Sequence, residues 1–344
     1  MAKNNIGVIG FYKKGEQFNS GQIVKTVSVV DALKELPDTK VYVMNTYKWK
    51  YRGIFLFVKI FFSFFKCKNI ILITAQKGIR VFTPLLSFFN KIFRWRIHYI
   101  VIGGWIGKKV AKQKALKRIG KFYQVYVETT KIQEELASLG ITNTTILNNF
   151  KDLPFASPED LKKEHAVPYN ICYFSRVEPE KGVEDIINVL ANINKDKLLY
   201  KLTIYGVIRP NYKEDFLAFV EKHKDYVEYA GVIKYDQSVN TIKDYFLQIF
   251  PTQYPTEGIP GSIIDSYYAG VPVVAARWNS FHEIINEGET GLGYSLGNLE
   301  ELEKTLLKVI AEPNIITNMK GNCQQKAHEY SKEHFLATFP QHFL

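Results

Sequence analysis

The sequence predicts an α/β protein of two Rossmann-like domains, each built on a parallel sheet, that face each other across a cleft. Short apolar runs with strand character alternate with helical stretches, which is typical of βαβ units and parallel sheets. The length of 344 residues corresponds to about two domains. A polar stretch, residues 148–168, separates two such sets of alternating segments.

The strands are predicted from apolar runs, and the helices from the longer segments between them. The predicted strands cover residues 6–11, 39–44, 70–74, 97–102, 123–127, 144–147, 170–174, 201–205, 227–229, 247–250 and 272–275. The predicted helices cover residues 21–35, 53–65, 108–120, 131–139, 183–193, 212–223, 238–244, 261–269 and 299–311. The tail, residues 323–344, is also expected to be helical.

The start of the chain and its cysteines indicate a cytoplasmic protein. The apolar run at residues 6–12 lies between lysines and lacks a small-residue cleavage pattern, so it predicts a first strand rather than a signal peptide. Cys67, Cys172 and Cys323 are odd in number and far apart, so no disulfide framework is expected.

Two loops carry the most informative residues. Residues 176–182 read R-V-E-P-E-K-G after the strand run 171–174, and residues 257–265 read E-G-I-P-G-S-I-I-D after the run 247–250. Each motif by itself has an ordinary interpretation, as a solvated loop or as a turn that begins a helix. Both, however, follow the carboxyl ends of predicted strands, where open α/β sheets bind ligands.

The residue types in these loops suit one kind of ligand. Arg176 and Lys181 offer cations, and the glycine-rich turn offers backbone N–H groups, which together suit a diphosphate. The carboxylates of Glu257 and Asp265 suit the hydroxyl groups of a sugar and of a ribose. The two loops therefore predict a pocket for a nucleotide-sugar.

These motifs resemble those of the family-4 retaining glycosyltransferases of the GT-B type, which build bacterial capsule, exopolysaccharide and lipopolysaccharide. The resemblance covers residues from about 168 to 295 and is weak over residues 1–150. It rests on F-S-R-V-x-P-E-K-G, I-Y-G at 204–206, F-P-T at 250–252, the motif at 257–265, A-G-V-P-V-V-A at 269–275 and G-x-T-G at 288–291.

The resemblance implies roles for individual residues. Arg176 and Lys181 would hold the donor diphosphate, and Glu257 would contact the donor sugar, so these three are the predicted catalytic residues. Asp265 would bind the ribose in place of the glutamate of the family's E-x7-E pattern. The segment that lines the phosphate and sugar would be Gly258, Ile259, Pro260, Gly261 and Ser262.

The resemblance also implies that Gly21 lets the backbone approach the donor phosphates. The alternative is an ordinary strand-to-helix turn with Ser20 as the N-cap. Gly103-Gly104-Trp105 stands where family members often carry a histidine, so no catalytic histidine is assigned. His98 lies too early in its strand to match and is expected to be at the surface or partly buried.

No metal or cofactor is expected. The sequence contains no D-x-D triplet and no His/Cys cluster with zinc spacing. A dehydrogenase is disfavoured because the Gly-x-Gly-x-x-Gly pattern with a later acid is absent. The nucleotide-sugar would be a substrate, and its diphosphate would be neutralised by protein cations.

The charge is strongly asymmetric. Residues 1–150 contain 25 Lys and Arg against 7 Asp and Glu, a net +18, whereas the remainder carries −7. No acid occurs from Thr39 to Val127, where 19 basic residues are interleaved with phenylalanines. A solvated basic face over an aromatic core is one interpretation. An anionic membrane surface or a lipid-diphosphate acceptor fits better, and no nucleic-acid-binding motif is present. Residues 54–65 are too short to span a bilayer.

The predicted domain order follows from the resemblance. Residues 1–150 would bind the acceptor, 151–168 would be a linker, 169–322 would bind the donor, and the helix at 323–344 would cross back to the first domain. The expected activity is metal-independent transfer of a hexosyl group from a nucleotide diphosphate, with a UDP-sugar favoured, to a lipid-linked or polysaccharide acceptor at the inner face of the cell membrane. An inactive GT-B partner subunit, a basic nucleic-acid-binding protein and a GT-B nucleotide-sugar epimerase remain alternatives.

Overall fold

The computed structural model describes residues 4–13, 21–47 and 49–342, and it confirms the predicted α/β fold with two parallel sheets. The chain divides into two compact units. The first takes in the described residues up to Asp152 and again from Tyr330 onward, and the second is Leu153–Glu329. Each unit contains one six-stranded sheet.

The first unit alternates strands and helices from its first described residue. Its elements are β1 (Asn4–Gly10), α1 (Gly21–Lys34), β2 (Thr39–Asn45), α2 (Trp49–Lys66), β3 (Asn69–Ile73), α3 (Gln76–Phe93), β4 (Arg96–Ile100), α4 (Ile106–Lys112), β5 (Gln124–Val127), α5 (Thr130–Ser138) and β6 (Thr144–Ile146). The sheet order is β2-β1-β3-β4-β5-β6, and all pairs are parallel. The inner strand β3 is buried over its whole length, as expected where helices cover both faces.

The second unit repeats this plan. Its elements are α6 (Pro158–Leu161), β7 (Tyr169–Phe174), α7 (Val183–Ile193), β8 (Tyr200–Tyr205), α8 (Lys213–Lys222), β9 (Val227–Gly231), α9 (Ser238–Ile242), β10 (Leu247–Phe250), α10 (Gly261–Tyr268), β11 (Val273–Arg277), α11 (Phe281–Ile284), β12 (Gly291–Ser295), α12 (Leu299–Ala311) and α13 (Asn314–Ala327). The sheet order is β12-β11-β10-β7-β8-β9. The direction of winding therefore reverses between β7 and β10, the position at which such sheets bind ligands.

The chain then rejoins the first unit through α14 (Lys332–Thr338). Phe335 of α14 stacks on Phe150 with 4.1 Å between ring centroids. The tail predicted as one helix over 323–344 is thus divided, because α13 ends at Ala327 within the second unit. The stretch predicted as a linker, 151–168, contains α6, whose first turn is capped by Ser157 and Asp160.

Several elements were not predicted from the sequence, among them α3, α6, α11 and β12. Helix α3 contains Pro84, which removes one backbone donor from the helix interior. Its buried residues Ile79, Phe82, Thr83 and Leu86 nevertheless recur at helical spacing. The segment predicted as one helix over 108–120 is α4 followed by a separate 3-10 helix, Lys114–Lys121.

Strand β12 was missed because its glycines lower the intrinsic preference for extended structure. The packing requires one of them. A Cβ on Gly291 would lie 2.3 Å from the carbonyl oxygen of Val273 in the neighbouring strand β11. Glycine is needed here for close approach between two backbones.

The expectation that His98 is exposed or partly buried was wrong. His98 is fully buried in β4. Its Nδ1 lies 3.1 Å from the Tyr126 hydroxyl and its Nε2 lies 3.3 Å from Asn69 Oδ1. Polar partners on the neighbouring strands make this burial acceptable, and the side chain belongs to the core of the first unit. Among the described residues, no helix is long and apolar enough to cross a membrane.

A buried ion pair joins α1 to the end of β5. Lys25 Nζ lies 2.5 Å from Glu128 Oε1, and both residues are 5% exposed. We expect Glu128→Gln to lower the free energy of unfolding by about 3 kcal/mol, because it leaves the Lys25 ammonium buried without its counter-charge. Urea unfolding measures the change. The double variant Lys25→Met/Glu128→Met should lose less than Glu128→Gln alone.

The matched control is Lys224→Met, which removes an exposed ion pair with Glu221 in the second unit. It should change the free energy of unfolding by less than about 1 kcal/mol. Equal losses for Glu128→Gln and for the control would contradict a structural role of the buried pair.

Candidate functional site

The two informative loops lie side by side at the point where the second sheet reverses its winding. Strands β7 and β10 are parallel neighbours, with Ile171 opposite Leu247. The loop after β7 covers residues 175–182, and the loop after β10 covers residues 251–260. Because both strands end at the same edge, residues about 75 positions apart in sequence meet in space.

The centre of the site is a contact between Lys181 and Glu257. Lys181 Nζ contacts Glu257 Oε1 across the two loops, and Lys181 is buried. The Thr252 hydroxyl donates a 3.0 Å hydrogen bond to the same carboxylate oxygen. The ammonium also lies 5.4 Å and 5.1 Å from the ring centroids of Phe250 and Tyr254, which adds cation–π attraction. Glu257 is therefore held in a fixed position by a cation and a hydroxyl.

The backbones of the two loops are in direct contact next to this pair. Gly182 has a φ of +69°, and a Cβ there would lie 2.0 Å from the carbonyl oxygen of Pro251. Glycine is thus required both for its backbone conformation and for the close approach. The Gln253 N–H donates to the Glu180 carbonyl oxygen at 3.0 Å. These contacts fix the position of Lys181 relative to Glu257.

A second cluster of charged residues surrounds the buried Glu178. Arg176 Nη1 lies 2.8 Å from Glu178 Oε1, and Arg209 Nη2 lies 2.5 Å from Glu178 Oε2. Arg209 also pairs with Glu180 at 2.8 Å. Its hydrogen bonds to Glu180 and Glu178 raise the pKa of Arg209, and the Arg209 hydrogen bond lowers the pKa of Glu180.

Arg176 is anchored but accessible. Its contact with Glu178 fixes one end of the guanidinium, while 62% of the side chain remains exposed. An arginine held in this way keeps donors that can bind an anion arriving from solvent. The structure therefore places one buried cation, Lys181, and one accessible cation, Arg176, on the same loop.

Sequence reasoning missed Arg209 and assigned no role to Glu178 or Thr252. Arg209 follows β8 in the run I-Y-G-V-I-R-P, so its place beyond a strand end was a usable signal. Val177 forms a β-bridge to Ile208, which brings the loop after β8 beside the loop after β7. Thr252 ends the F-P-T motif, and its hydroxyl orients Glu257.

The segment after Glu257 leads into the N-terminus of α10. Gly258 and Ile259 are buried, whereas Gly261 and Ser262 are partly exposed at the start of the helix. The first N–H groups of a helix have no partner within it, and its dipole favours an anion there. Pro260 is the N-cap and has no N–H, so it shapes the turn without donating.

Asp265 and Gly21 are placed differently from the other predicted site residues. Asp265 is 1% exposed and accepts a 2.9 Å hydrogen bond from the Ser238 hydroxyl of α9. Its predicted contact with a ribose stays a prediction. Gly21 is the exposed first residue of α1 in the first unit. The loop that precedes it, residues 14–20 with Ser20, lies outside the described residues.

The structure thus brings Lys181 into contact with Glu257, with Arg176 on the same loop as Lys181 and with Glu257 on the loop that leads into α10. Within residues 4–13, 21–47 and 49–342, no group of three or more His, Cys, Asp or Glu side chains has a geometry that could hold a metal ion.

Solved structures with the same fold span nearly the whole chain. HepE of Anabaena, solved in complex with UDP, has a TM-score of 0.75 at 16% identity over 98% of both chains. The lipopolysaccharide outer core galactosyltransferase WaaB has a TM-score of 0.70 at 15% identity over 98% of both chains. At such identities the likeness establishes the GT-B fold alone.

Sequence relatives match over shorter stretches. An uncharacterized glycosyltransferase of Methanocaldococcus jannaschii is 23% identical over 210 residues, which are 55% of this chain and 51% of the relative. Glycogen synthase of Mycobacterium tuberculosis is 23% identical over 185 residues, 52% of this chain and 42% of the relative. The chain therefore spans about half the length of the curated relatives that it matches.

The family model for glycosyl transferases group 1 matches residues 158–330. This match takes in half of the chain and includes both loops of the site and α10. The chain belongs to the glycosyl transferases group 1 family.

Proposed function

We propose that the protein is a retaining, metal-independent glycosyltransferase of the hexosyltransferase type. It transfers a sugar from a UDP-sugar to a membrane-linked glycan acceptor in the synthesis of a surface polysaccharide such as capsule or lipopolysaccharide. The observation that carries the proposal is the contact between Lys181 and Glu257 at the reversal of the second sheet, beside Arg176 and the start of α10.

The donor diphosphate binds where these groups converge. Arg176 presents an accessible guanidinium, Lys181 presents an ammonium already fixed by Glu257, and the first N–H groups of α10 add a positive helix end. A nucleoside diphosphate has several negative oxygens, and these groups offer charge-assisted hydrogen bonds to them. The site therefore neutralises the diphosphate with protein groups.

Transfer proceeds by departure of the nucleoside diphosphate from the anomeric carbon. The bond between C1 and the β-phosphate oxygen breaks, and its electron pair stays on that oxygen. The acceptor oxygen forms its bond to C1 on the same face, which retains the configuration. The acceptor proton passes to the leaving phosphate oxygen, so no side-chain nucleophile takes part. Arg176, Lys181 and the α10 amides stabilise the negative charge that develops on the leaving group.

Glu257 contacts the donor sugar. Its carboxylate is fixed by Lys181 and Thr252, so it can accept hydrogen bonds from sugar hydroxyl groups without reorganising. A carboxylate next to C1 also stabilises the positive charge that develops on the sugar ring. Asp265 binds the ribose if its carboxylate exchanges the Ser238 hydroxyl for those of the nucleotide.

The identity of the nucleotide and of the acceptor is supported by the relatives and by the charge. HepE has been solved with UDP and with UDP-glucose, and the name of WaaB assigns it to the lipopolysaccharide outer core. The first 150 residues carry a net +18, which suits an anionic membrane surface that presents a lipid-linked acceptor. The protein works in the cytoplasm, attached peripherally to the inner face of the cell membrane.

Arg176→Ala should reduce turnover of the UDP-sugar about a hundredfold, because removing one preorganised charge at a developing anion costs about 3 kcal/mol. Lys181→Ala should reduce it at least as much. Initial rates of UDP release measure both effects. Lys224→Ala, which removes an exposed cation of the same unit, is the control and should retain full turnover. Near-normal turnover in both site variants would contradict the diphosphate assignment.

The two acids should differ in what they change. Glu257→Gln should lower kcat strongly, because the carboxylate contacts the sugar and also holds the Lys181 ammonium in place. Asp265→Asn should mainly weaken UDP binding in calorimetry. Unchanged UDP affinity in Asp265→Asn would assign this residue to the structural hydrogen bond with Ser238 and reject the ribose contact.

Chelation should leave the activity intact, because Arg176, Lys181 and helix amides supply the positive charge that a metal supplies in other glycosyltransferases. We expect the rate in excess EDTA to equal that of untreated enzyme. Loss of activity in EDTA with recovery on addition of Mn²⁺ would reject metal independence.

A further inference from the structure

Helices α2 and α3 of the first unit share an exposed apolar face. Phe55, Phe62 and Phe65 of α2 and Phe88 and Ile92 of α3 are between 61% and 76% exposed; we call these five residues the phenylalanine face. Single exposed apolar residues are ordinary. Five large side chains, all more than half exposed, on two neighbouring helices mark an interaction surface.

The face is continuous across the two helices because they pack through aromatic rings. The ring centroids of Phe65 and Phe93 lie 5.3 Å apart, and those of Phe61 and Phe89 lie 6.2 Å apart. Phe88 in turn contacts Phe89 at 5.5 Å. Phe65 and Phe88 of the face thus pack on the aromatic side chains that join the two helices.

Positive charge surrounds this face. Lys59, Lys66, Lys91 and Arg94 are exposed on the two helices or at their ends. No acidic residue occurs between Thr39 and Val127, so every charged residue of α2 and α3 is basic. A second copy of the chain would bring two positive rims together, which opposes self-association. An anionic surface with an apolar interior matches both features.

A cationic pocket adjoins the same face. It has a volume of about 390 Å³ and lies between α3 and the 3-10 helix Lys114–Lys121. Its lining includes Phe88 of the phenylalanine face together with Lys91, Arg118 and Lys121. In the part of the chain that the structure describes, these three cations form no ion pair with an acid.

Two buried polar atoms of this pocket are unsatisfied. Among the described residues, neither the Ser87 hydroxyl oxygen nor Asn90 Oδ1 has a hydrogen-bond partner, and both residues line the pocket. Both atoms lie beneath the surface of the pocket, so the groups that a ligand meets there are the three cations, which suit a phosphate group.

We propose that the phenylalanine face and this pocket form a docking surface for an anionic phospholipid bilayer. The phenylalanines enter the interfacial layer, and the pocket holds the phosphate of one lipid headgroup between Lys91, Arg118 and Lys121. This inference rests on the proposed function, in which the acceptor is membrane-linked, and it assigns the surface that meets the lipid. Helices α2 and α3 lie in the plane of the interface.

The test is co-sedimentation of the full chain with vesicles of phosphatidylcholine, with or without phosphatidylglycerol. The wild-type protein should bind the anionic vesicles at least tenfold more tightly, and its binding should weaken with salt without vanishing, because the apolar contribution is not screened. Phe62→Ser/Phe88→Ser should abolish the binding that remains at high salt. Arg118→Ser/Lys121→Ser should reduce the preference for phosphatidylglycerol about tenfold.

Matched variants control for the loss of apolar surface and of charge. Leu217→Ser/Leu307→Ser removes two exposed apolar residues from the second unit, and Lys131→Ser removes an exposed cation of α5. Both should bind vesicles like the wild type. The proposal is overturned if Phe62→Ser/Phe88→Ser and Arg118→Ser/Lys121→Ser both bind vesicles like the wild type. It is also overturned if the wild type binds neutral and anionic vesicles equally.

Further measurements exclude other occupants and separate this inference from the proposed function. Inorganic phosphate and phosphatidylglycerol vesicles are compared by how far each raises the temperature of thermal unfolding. Equal increases would assign the pocket to free phosphate. Sedimentation velocity tests for self-association. A dimer of the wild-type protein that is lost in Phe62→Ser/Phe88→Ser would assign the face to a second copy of the chain. Release of UDP from the UDP-sugar without lipid should stay normal in all these variants. If the wild type releases no UDP, the transferase assignment fails. The docking surface still stands in that case if the face and pocket variants lose vesicle binding.

Discussion

The parallel pairing of β7 with β10 is the constraint on which the site depends. These strands are neighbours in the sheet but are separated in sequence by β8 and β9, so their loops meet only after the sheet has formed. Gly182 then sets how near the loops come, because its missing Cβ leaves room for the Pro251 carbonyl. The contact between Lys181 and Glu257 is a consequence of this backbone geometry.

Burial of charge in the second unit follows from the same geometry. A lysine as buried as Lys181 is stable only beside a counter-charge, and Glu257 provides it while remaining partly exposed. Glu178 is buried between Arg176 and Arg209, so its cost of desolvation is offset by two guanidinium groups. Each buried charge at this edge therefore holds an accessible group in place. This is how a site prepares fixed charges for a substrate before the substrate arrives.

The sequence was sufficient to predict the two sheets and the loops, because strand runs and the R-x4-K-G and E-G-x-P-G motifs are local patterns. It was insufficient to predict the ion pairs of Arg209 with Glu178 and Glu180, because these depend on the β-bridge between Val177 and Ile208. It was also insufficient for the burial of Asp265, since spacing along α10 does not reveal that its carboxylate meets Ser238 of another helix. Helix α3 was missed because Pro84 lowers its local preference, whereas the core contacts of Ile79, Phe82 and Leu86 determine its structure.

In the first unit, by contrast, the most distinctive surface features do not stabilise the fold. Its acid-free stretch carries 19 basic residues, and the phenylalanine face leaves large rings in water. Like charges repel each other, and apolar area that stays exposed contributes no favourable free energy of burial, so both features leave the isolated fold less stable. The buried pair of Lys25 and Glu128 and the packing of Phe335 on Phe150 supply stability elsewhere in the unit. A surface that is unfavourable in water in both respects becomes favourable against an anionic, apolar partner, and the bilayer that we propose as its docking partner meets both conditions at once.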